Sequence, residues 1–506
     1  MAGPMQLLDI VFLLLDRAET PANVGALLLF DPQPGRSSRQ AAQRVLRTFR
    51  SAQPSPPFDC VPEFPSLGLP HWRTVQKVDL RHHVRHESLP APGNQQQLCA
   101  RVAELHPELL DRAQPLFRLH IFDGLESGQL AIYVKLHHGN WDGRSALARV
   151  FGTLAAEPGP LGTPFFALPP QPATSPLAAG SVAGLADGAR TLLTQALAVR
   201  ELLANIASRR TRGADGAREA GGNRPFAGPH TRFNQPVTAE RSFAPFSLPI
   251  EEMRRVAAAF GGKLNDVVLA VVDAGVDSYL ASLGERARQP LVAMCPVSLR
   301  DEGDVEATTK VATMFVPLGQ PRAGAARRMR QIIENTAAAK QEFRSLSKAA
   351  ALDYAALAFG LWFASHALGL DAVTRPVVNL VISNVGGLPG ERYLGDLRLT
   401  GAYPVSMVAD PTGLNISALS LGGRMDFGVV ANRAAVPDAG EIARHCLAAW
   451  QLLRKAAVRA ARAQQPSDRT VRTTPGRARP SRRAGSGARR ARGRNPARAR
   501  APKAPS

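Results

Sequence analysis

The sequence predicts an α/β fold built from two domains, and three observations lead to this prediction. Segments typical of β-strands are interleaved with segments of helical periodicity in both halves of the chain. The chain has 506 residues, 45% of them hydrophobic, which is too long for one ordinary domain. A Pro-rich run at 158–176 can continue neither a helix nor an inner strand. We therefore expect an N-terminal domain at 1–175, a helical and flexible connector at 176–229, a C-terminal domain at 230–463 and a disordered tail at 464–506.

The N-terminal domain opens with an apolar run from Ile10 to Leu15. Asp9 and Asp16 flank this run and no basic segment precedes it, so it does not match a signal peptide. Further along, Gln129–Leu136 is typical of a largely apolar strand, and the turn formers of 140–143 follow it. We expect a helix from Arg144 onward.

Two adjacent histidines stand at the end of this strand, and a carboxylate follows the second one after four residues. They are His137, His138 and Asp142, with Gly143 next to the carboxylate. An imidazole near its intrinsic pKa can take a proton from an alcohol or thiol and return it to a leaving group. We expect the ring of His138 to face a cavity and Asp142 to brace the loop. The alternative is that the histidines and a turn Asp-Gly coincide by accident.

Other histidines and the cysteines give no sign of a metal site or a disulfide framework. His82, His83 and His86 lie in a stretch that we expect to be a polar surface strand, since no carboxylate or thiol pattern completes a metal site. The four cysteines contain no Cys-x-x-Cys pair and fit a reducing cytoplasm; they are Cys60, Cys99, Cys295 and Cys446.

The C-terminal domain shows the same alternation of strands and helices. A strand at Arg241–Leu248 precedes a helix from Pro249 through Phe260, and Asn265-Asp266 is placed to cap a helix that reaches Leu280. Further strands are expected at Pro290–Ser298, Lys310–Leu318 and Val377–Val385. A hairpin of Leu414–Leu421 and Arg424–Ala431 turns at Gly422-Gly423, and a last helix runs from Pro437 to about Ala463.

Three segments lie outside these two sets of elements. The connector is helical at Ser181–Ala207 and flexible at Arg209–Pro229. The 17 residues of Tyr354–Leu370 lack charge and proline but fall short of the ~20 that a spanning helix needs, which leaves a buried or a membrane-resting helix. From Pro466 onward, 13 Lys or Arg and one acid, Asp468, contribute +12 of the formal +21.

The basic tail has a composition that cannot bury enough apolar surface to become ordered. A solvated spacer, attraction to an anionic membrane surface and contact with nucleic acid all remain open. No aromatic residues are interleaved for base stacking, so we expect no specific nucleic-acid recognition.

With these residues placed, the chain resembles the bacterial wax ester synthase/acyl-CoA:diacylglycerol acyltransferase family over about residues 5–460. The resemblance rests on several motifs in the family's order. They are Leu7–Leu13 with Glu19–Val24, Pro115–Phe117, His137–Gly143, Asn265-Asp266, Pro296–Arg300 and Ser383–Val385. Phe117 stands where the family has Trp, and Thr308-Thr309 replaces its usual Gly-Asn. Gly139-Asn140-Trp141 is an unusual sequence between the histidines and Asp142 of the His137–Gly143 motif. These departures put substrate preference in question more than catalysis.

The resemblance implies two chloramphenicol-acetyltransferase-like domains with an active-site tunnel between them. It also implies transfer of a long-chain acyl group from acyl-CoA to diacylglycerol, to a long-chain fatty alcohol, or to both. His138 would be the general base, and His137 and Asp142 are further candidates. Gly143, Asn265, Asp266 and Arg300 would support the substrate, the oxyanion or the loop, Arg300 as the basic partner of Asp142.

Several of these roles have an ordinary structural alternative. Asp142 could be a simple turn residue, Asn265 a helix N-cap and His137 a structural neighbour of the base. For the whole chain, the competing readings are condensation-type transfer from a carrier-protein thioester and an idle lipid-surface binding protein.

The expected partners are acyl-CoA, as co-substrate, and a lipid alcohol acceptor, with no cofactor and no metal. We expect a cytoplasmic protein, peripheral on the inner face of the membrane or on lipid droplets.

Overall fold

The computed structural model describes residues 5, 7–66, 68–139, 141, 143–169, 228–298, 311–344, 375–410 and 412–464. The helix expected at 181–207, the apolar segment at 354–370 and the basic tail lie outside these residues.

The elements of the described chain follow the predicted alternation. The first half forms α1 (Leu7–Leu15), β1 (Asn23–Asp31), α2 (Ser38–Arg50), β2 (Cys60–Glu63), β3 (His71–Thr74), α3 (Leu80–His83), β4 (Val84–Ser88), α4 (Gln95–Leu105), β5 (Phe117–Asp123), β6 (Leu130–His137) and α5 (Gly143–Phe151). The second half forms β7 (Arg241–Pro249), α6 (Ile250–Phe260), α7 (Leu264–Ser282), β8 (Val292–Ser298), β9 (Val311–Pro317), α8 (Ala325–Arg344), β10 (Leu380–Leu388), β11 (Tyr393–Leu394), β12 (Leu397–Val405), β13 (Leu414–Leu421), β14 (Arg424–Asn432) and α9 (Ala439–Gln464).

Two six-stranded mixed sheets form the framework. The first has the order β11-β12-β1-β6-β5-β4, and the second has the order β7-β14-β13-β10-β8-β9. Two strands from the C-terminal half of the chain, β11 and β12, therefore complete the first sheet, where β12 pairs antiparallel with β1. The division into domains at 1–175 and 230–463 stays a prediction. The position of β11 and β12 shows that the two halves of the chain share the first sheet.

The two sheets meet where β12 lies against β14. A Cβ at Gly428 of β14 would lie 1.7 Å from the carbonyl oxygen of Pro404, so only glycine allows this approach of the two backbones. Close by, the buried carboxylate of Asp426 accepts hydrogen bonds from the Ala402 amide at 2.9 Å and from the Ser247 hydroxyl at 2.7 Å. These bonds connect β12, β14 and β7 across the junction.

Strand β6 carries the histidine pair and is buried along its whole length. Its alternate residues Ile132, Val134 and Leu136 face the apolar core below the first sheet. On the other face, Lys135 donates hydrogen bonds to the carbonyls of Leu105 and Glu108, at 2.6 and 2.8 Å. One face of the strand is therefore apolar, and the other combines the buried Ala131 and Tyr133 with the hydrogen-bonded Lys135, so the strand is held from both sides.

The structure confirms most of the predicted strands of the second half. The hairpin of β13 and β14 has the predicted register, and Gly422 at its turn adopts φ +54°. Such a positive φ is the reason that glycine is needed in a tight turn of this kind.

The prediction of a polar surface strand at 82–86 is confirmed for His86, which is half-buried in the edge strand β4, and is wrong for His82 and His83. His82 and His83 end the short helix α3, and only His86 lies in a strand. The His83 ring is fully buried, stacks on Phe117 with centroids 4.3 Å apart, and shares a 2.9 Å hydrogen bond with the Phe117 carbonyl. Burial disfavours the charged form of the ring and lowers the pKa of His83 to about 4, and among the described residues its buried Nε2 has no hydrogen-bond partner.

Candidate active site

The two histidines at the end of β6 differ sharply in their surroundings. His137 is the last residue of the strand, pairs with Asn23 of β1 and is fully buried. His138 lies just beyond the strand and remains partly exposed. Its backbone amide donates to the Ala22 carbonyl at 2.7 Å, and its own carbonyl accepts from the Trp141 amide at 3.3 Å. Of the pair, His138 is therefore the more exposed residue, held on a loop fixed at both ends.

The His137 ring is held between a backbone amide and a carboxylate. The Gly139 amide donates to His137 Nδ1 at 3.0 Å, so Nδ1 is the acceptor and the neutral ring carries its proton on Nε2. Nε2 lies 3.4 Å from the Asp16 carboxylate, and these two side chains are only 1% and 3% exposed. At this distance the attraction is electrostatic more than a short hydrogen bond. The His137 ring is thus buried and in contact with the loop through the Gly139 amide.

The N-terminal helix α1 packs directly on the histidine loop. The ring of Phe12 stacks on the His138 ring, with centroids 4.2 Å apart and an interplanar angle of 29°. A Cβ at Gly139 would lie 3.0 Å from His137 Nδ1 and 3.2 Å from the Asp9 carbonyl oxygen, so a side chain there would press on both. The glycine lets the helix and the loop approach closely.

Beyond the histidines, Trp141 joins the loop to the first core. Its indole stacks on Phe58 with centroids 5.2 Å apart and an angle of 19°. The Phe58 ring in turn meets Phe117 edge-on at 5.3 Å. Two of the residues that depart from the family pattern, Phe117 and Trp141, therefore belong to one aromatic cluster beneath the loop.

The motifs of the second half approach this loop through β10. The helix α5, which begins at Gly143, contacts β10, and Val385 of that strand packs against the first core. On the same strand, the Asn384 amide group donates to Asn265 Oδ1 at 3.5 Å. Asn265 therefore contacts β10, the strand that also contacts α5.

The structure separates the roles of Asn265 and Asp266. Helix α7 begins at Leu264, after Lys263, so Asn265 lies inside the first turn and is not the N-cap. Asp266 is buried and accepts from the Lys263 amide at 2.7 Å and from the Thr336 hydroxyl at 2.8 Å. Asp266 fixes the start of the helix, while Asn265 is partly exposed and contacts Asn384 through its Oδ1.

Two predicted site residues cannot be placed. Asp142 and Arg300 lie outside the described residues, so their pairing stays a prediction. Among the residues that the structure does describe, no group of three or more His, Cys, Asp and Glu side chains could hold a metal ion.

The sequence alone did not identify Asp16 as a residue of this site. It is distant in sequence from His137, and its only local signal is a carboxylate directly after an apolar run. Burial alone would raise the pKa of Asp16, but the contacts with His137, the Ala22 amide and Arg112 hold it below the usual range. The carboxylate is therefore charged at neutral pH.

A separate surface cavity of about 680 Å³ lies against α2. Its walls include Arg36, Arg44 and Asp396, and both arginines form ion pairs with that carboxylate. None of the histidine-loop residues lines it. No helix of the described chain is long and apolar enough to cross a membrane.

Comparison with known families identifies two matching regions. Residues 5–268 match the wax ester synthase/diacylglycerol acyltransferase catalytic domain, and residues 308–454 match the C-terminal domain of the same family. The chain is 31% identical over 453 residues to the Mycobacterium tuberculosis protein named "probable diacylglycerol O-acyltransferase tgs2", covering 86% of this chain and 95% of that one. A second M. tuberculosis protein with a diacylglycerol O-acyltransferase name is 32% identical over 459 residues, or 87% and 97% of the two chains.

Solved structures agree with the fold. The wax ester synthase/diacylglycerol acyltransferase from Marinobacter aquaeolei VT8 superposes with a TM-score of 0.69 at 27% identity, over 90% of this chain and all of that one (100%). The first condensation domain of the calcium-dependent antibiotic synthetase gives a TM-score of 0.51 at 15% identity, over 91% and 97% of the two chains. The second likeness concerns the fold alone. Together they confirm the predicted α/β fold of the chloramphenicol-acetyltransferase type.

Proposed function

The chain belongs to the wax ester synthase/diacylglycerol acyltransferase family and is an acyl-CoA-dependent O-acyltransferase, and we propose that His138 is its general base. The reaction moves a fatty acyl group to diacylglycerol, to a long-chain fatty alcohol, or to both. The observation that supports the proposal is the contrast within the histidine pair. His138 is partly exposed on a fixed loop, whereas His137 is buried between the Gly139 amide and Asp16.

In the proposed mechanism, His138 removes the hydroxyl proton of the acceptor as the oxygen attacks the thioester carbonyl of acyl-CoA. A tetrahedral oxyanion forms, and its collapse expels the CoA thiolate, which takes the proton back from the imidazolium. No covalent enzyme intermediate and no cofactor are required, since the thioester supplies the activated acyl group. General acid–base help of this kind gives ~10²–10⁴-fold in rate, so positioning and oxyanion stabilisation must supply the rest.

Asn265 is the proposed donor to the oxyanion. Because its Oδ1 accepts from Asn384, its Nδ2 group is turned away from that contact and can donate to a developing negative charge. Gly143 begins α5 and supports the backbone of the loop, as Asp266 supports the start of α7. Asp142 keeps its proposed role of bracing the loop, with Arg300 as its proposed partner.

Thiol release tests the proposed function. The purified protein is assayed with lauroyl- to stearoyl-CoA donors, each with diacylglycerol and with a long-chain alcohol as acceptor. We expect acceptor-dependent release of CoA that is lost in His138→Ala. Absence of release above background with every pair would count against the reaction. Faster transfer from an acyl-carrier-protein thioester than from acyl-CoA would favour the condensation-type alternative.

We also propose a cytoplasmic location, peripheral on the inner face of the membrane or on lipid droplets. Its support is the water-insoluble acceptor together with the excess of Lys and Arg from Pro466 onward. Flotation with anionic liposomes tests this, using the full chain and a chain that ends at 465. Equal binding of both chains would exclude the tail as the attachment.

A further inference from the structure

Asp16 stands at the point where three parts of the site meet. It follows the end of helix α1, whose Phe12 stacks on the His138 ring. Its Oδ2 lies 3.4 Å from His137 Nε2. Its Oδ1 accepts from the Ala22 amide at 2.9 Å.

The contacts of Asp16 with Ala22 and His137 both lead to the backbone of His138. The Ala22 amide donates to the Asp16 carboxylate, and the Ala22 carbonyl accepts from the His138 amide at 2.7 Å. His137 is the covalent neighbour of His138, and its ring is held on the other side by the Gly139 amide. The Asp16 carboxylate is therefore connected to the loop that carries His138 in two ways. One connection runs through the backbone of Ala22, and the other runs through the side chain of His137.

The electrostatic arrangement suits this role. The Gly139 amide fixes the tautomer of His137 with its proton on Nε2, and the negative charge of Asp16 attracts that N–H. Arg112, whose Nη2 lies 3.6 Å from Asp16 Oδ2, partly compensates the charge. Because the Asp16 and His137 side chains are only 3% and 1% exposed, water screens this attraction weakly.

We propose that Asp16 is a positioning residue for the acyl transfer, which holds the His137–Gly139 turn and helix α1 so that the His138 ring meets the acceptor hydroxyl. The inference rests on the proposed role of His138. Asp16 affects the rate of the chemical step only through His138 and contacts neither substrate.

Asp16→Asn is the most direct variant, because it keeps the shape of the side chain. One oxygen can still accept from Ala22, but the new amide group then faces the Nε2–H of His137, and two donors oppose each other. A displacement of the base by up to an ångström costs as much as about 100-fold, so we expect kcat to fall about 10- to 100-fold. The KM for palmitoyl-CoA should stay within about twofold, since the variant removes no substrate contact.

Asp123→Asn is the matched control. Asp123 is also a buried carboxylate beside a histidine, with Oδ2 3.0 Å from His86 Nε2, but it lies at the end of β5 and has no contact with the histidine loop. This variant should lower the melting temperature as Asp16→Asn does, while it leaves kcat near that of the parent. An equal loss of kcat in both variants would show a general effect of destabilisation and overturn the inference.

A double-mutant cycle distinguishes whether Asp16 acts by positioning His138 or has an independent role in catalysis. In the His138→Ala background, Asp16→Asn should cause no further loss of the residual activity, because the group that it positions is absent. A further loss of the same size would overturn the inference. If His138→Ala alone retains the kcat of the parent, the proposed function itself fails, and that outcome is separate from any result with Asp16.

Two variants of His137 keep the test decisive if Asp16→Asn does not fold. His137→Gln can place its amide N–H where the Nε2–H of His137 faces Asp16, whereas His137→Asn can only replace the Nδ1 acceptor of the Gly139 amide. We expect the Gln variant to retain the larger share of kcat. An Asn variant that is equal or better would show that the contact with Asp16 does not matter.

Discussion

The stacking of Phe12 on His138 should contribute to the rate, and Phe12→Leu removes it while keeping an apolar side chain on α1. His138 becomes an imidazolium as it takes the acceptor proton, and the face of an aromatic ring attracts a cation. With centroids 4.2 Å apart and an angle of 29°, the Phe12 ring lies over the charge that develops. Only an interaction that strengthens in the transition state raises kcat.

The size of the effect follows from this geometry. A cation–π contact at a partly exposed site contributes about 0.5–1 kcal/mol, which corresponds to about a two- to fivefold loss of kcat in Phe12→Leu. Phe12→Tyr keeps the ring and serves as the control, with kcat close to that of the parent.

The assay measures release of the CoA thiol with a thiol reagent at saturating palmitoyl-CoA, with subtraction of a blank without acceptor. The four cysteines of the chain are free but buried, so their background should be slow and equal in both variants. A Phe12→Leu enzyme with the kcat of the parent, or an equal loss in Phe12→Tyr, would refute the reasoning.

Asn265→Ala should lower kcat by about 10²–10³-fold at nearly constant KM, as loss of an oxyanion donor does; a change in KM alone would contradict that role. Gly428→Ala places a Cβ 1.7 Å from the Pro404 carbonyl oxygen and should cost about 1–3 kcal/mol of unfolding free energy, measured by denaturant titration. Gly423→Ala, whose Cβ meets nothing within 4 Å, is the control, and equal stability of both variants would contradict the tight junction. The pKa of His83 is lowered by burial from 6.5 to about 4, so the unfolded chain binds its proton first and stability is lost as the pH falls from 6.5 to 4. His83→Asn should reduce this acid loss by about 3 kcal/mol, and an unchanged acid profile would contradict the assignment.

Much of the fold could be predicted because local patterns determine it. The hairpin at 414–432 follows from two alternating segments and a glycine pair, and the structure reproduces its register. The insertion of β12 into the first sheet could not be predicted in this way. Its pairing of Val405 with Gly25 joins residues far apart in sequence, and the alternation of a strand does not specify its partner.

The site shows the same division between local and distant information. His137 and His138 could be found from a short motif at a strand end, and the structure adds the difference in their exposure. Asp16 reaches His137 only through the packing of α1, so no spacing in the sequence indicates the pair. The sequence predicts a surface position for His83, whereas the structure buries its ring against the ring and carbonyl of Phe117, a contact that no local pattern indicates.

The proposed proton transfer by the partly exposed His138 is tested by comparing acceptor-dependent CoA release of His138→Ala with that of the parent. We expect a fall in kcat of about 10²–10⁴-fold with little change in the KM for acyl-CoA, and a melting temperature close to that of the parent. A folded His138→Ala protein that releases CoA at the parent's rate would contradict the proposal.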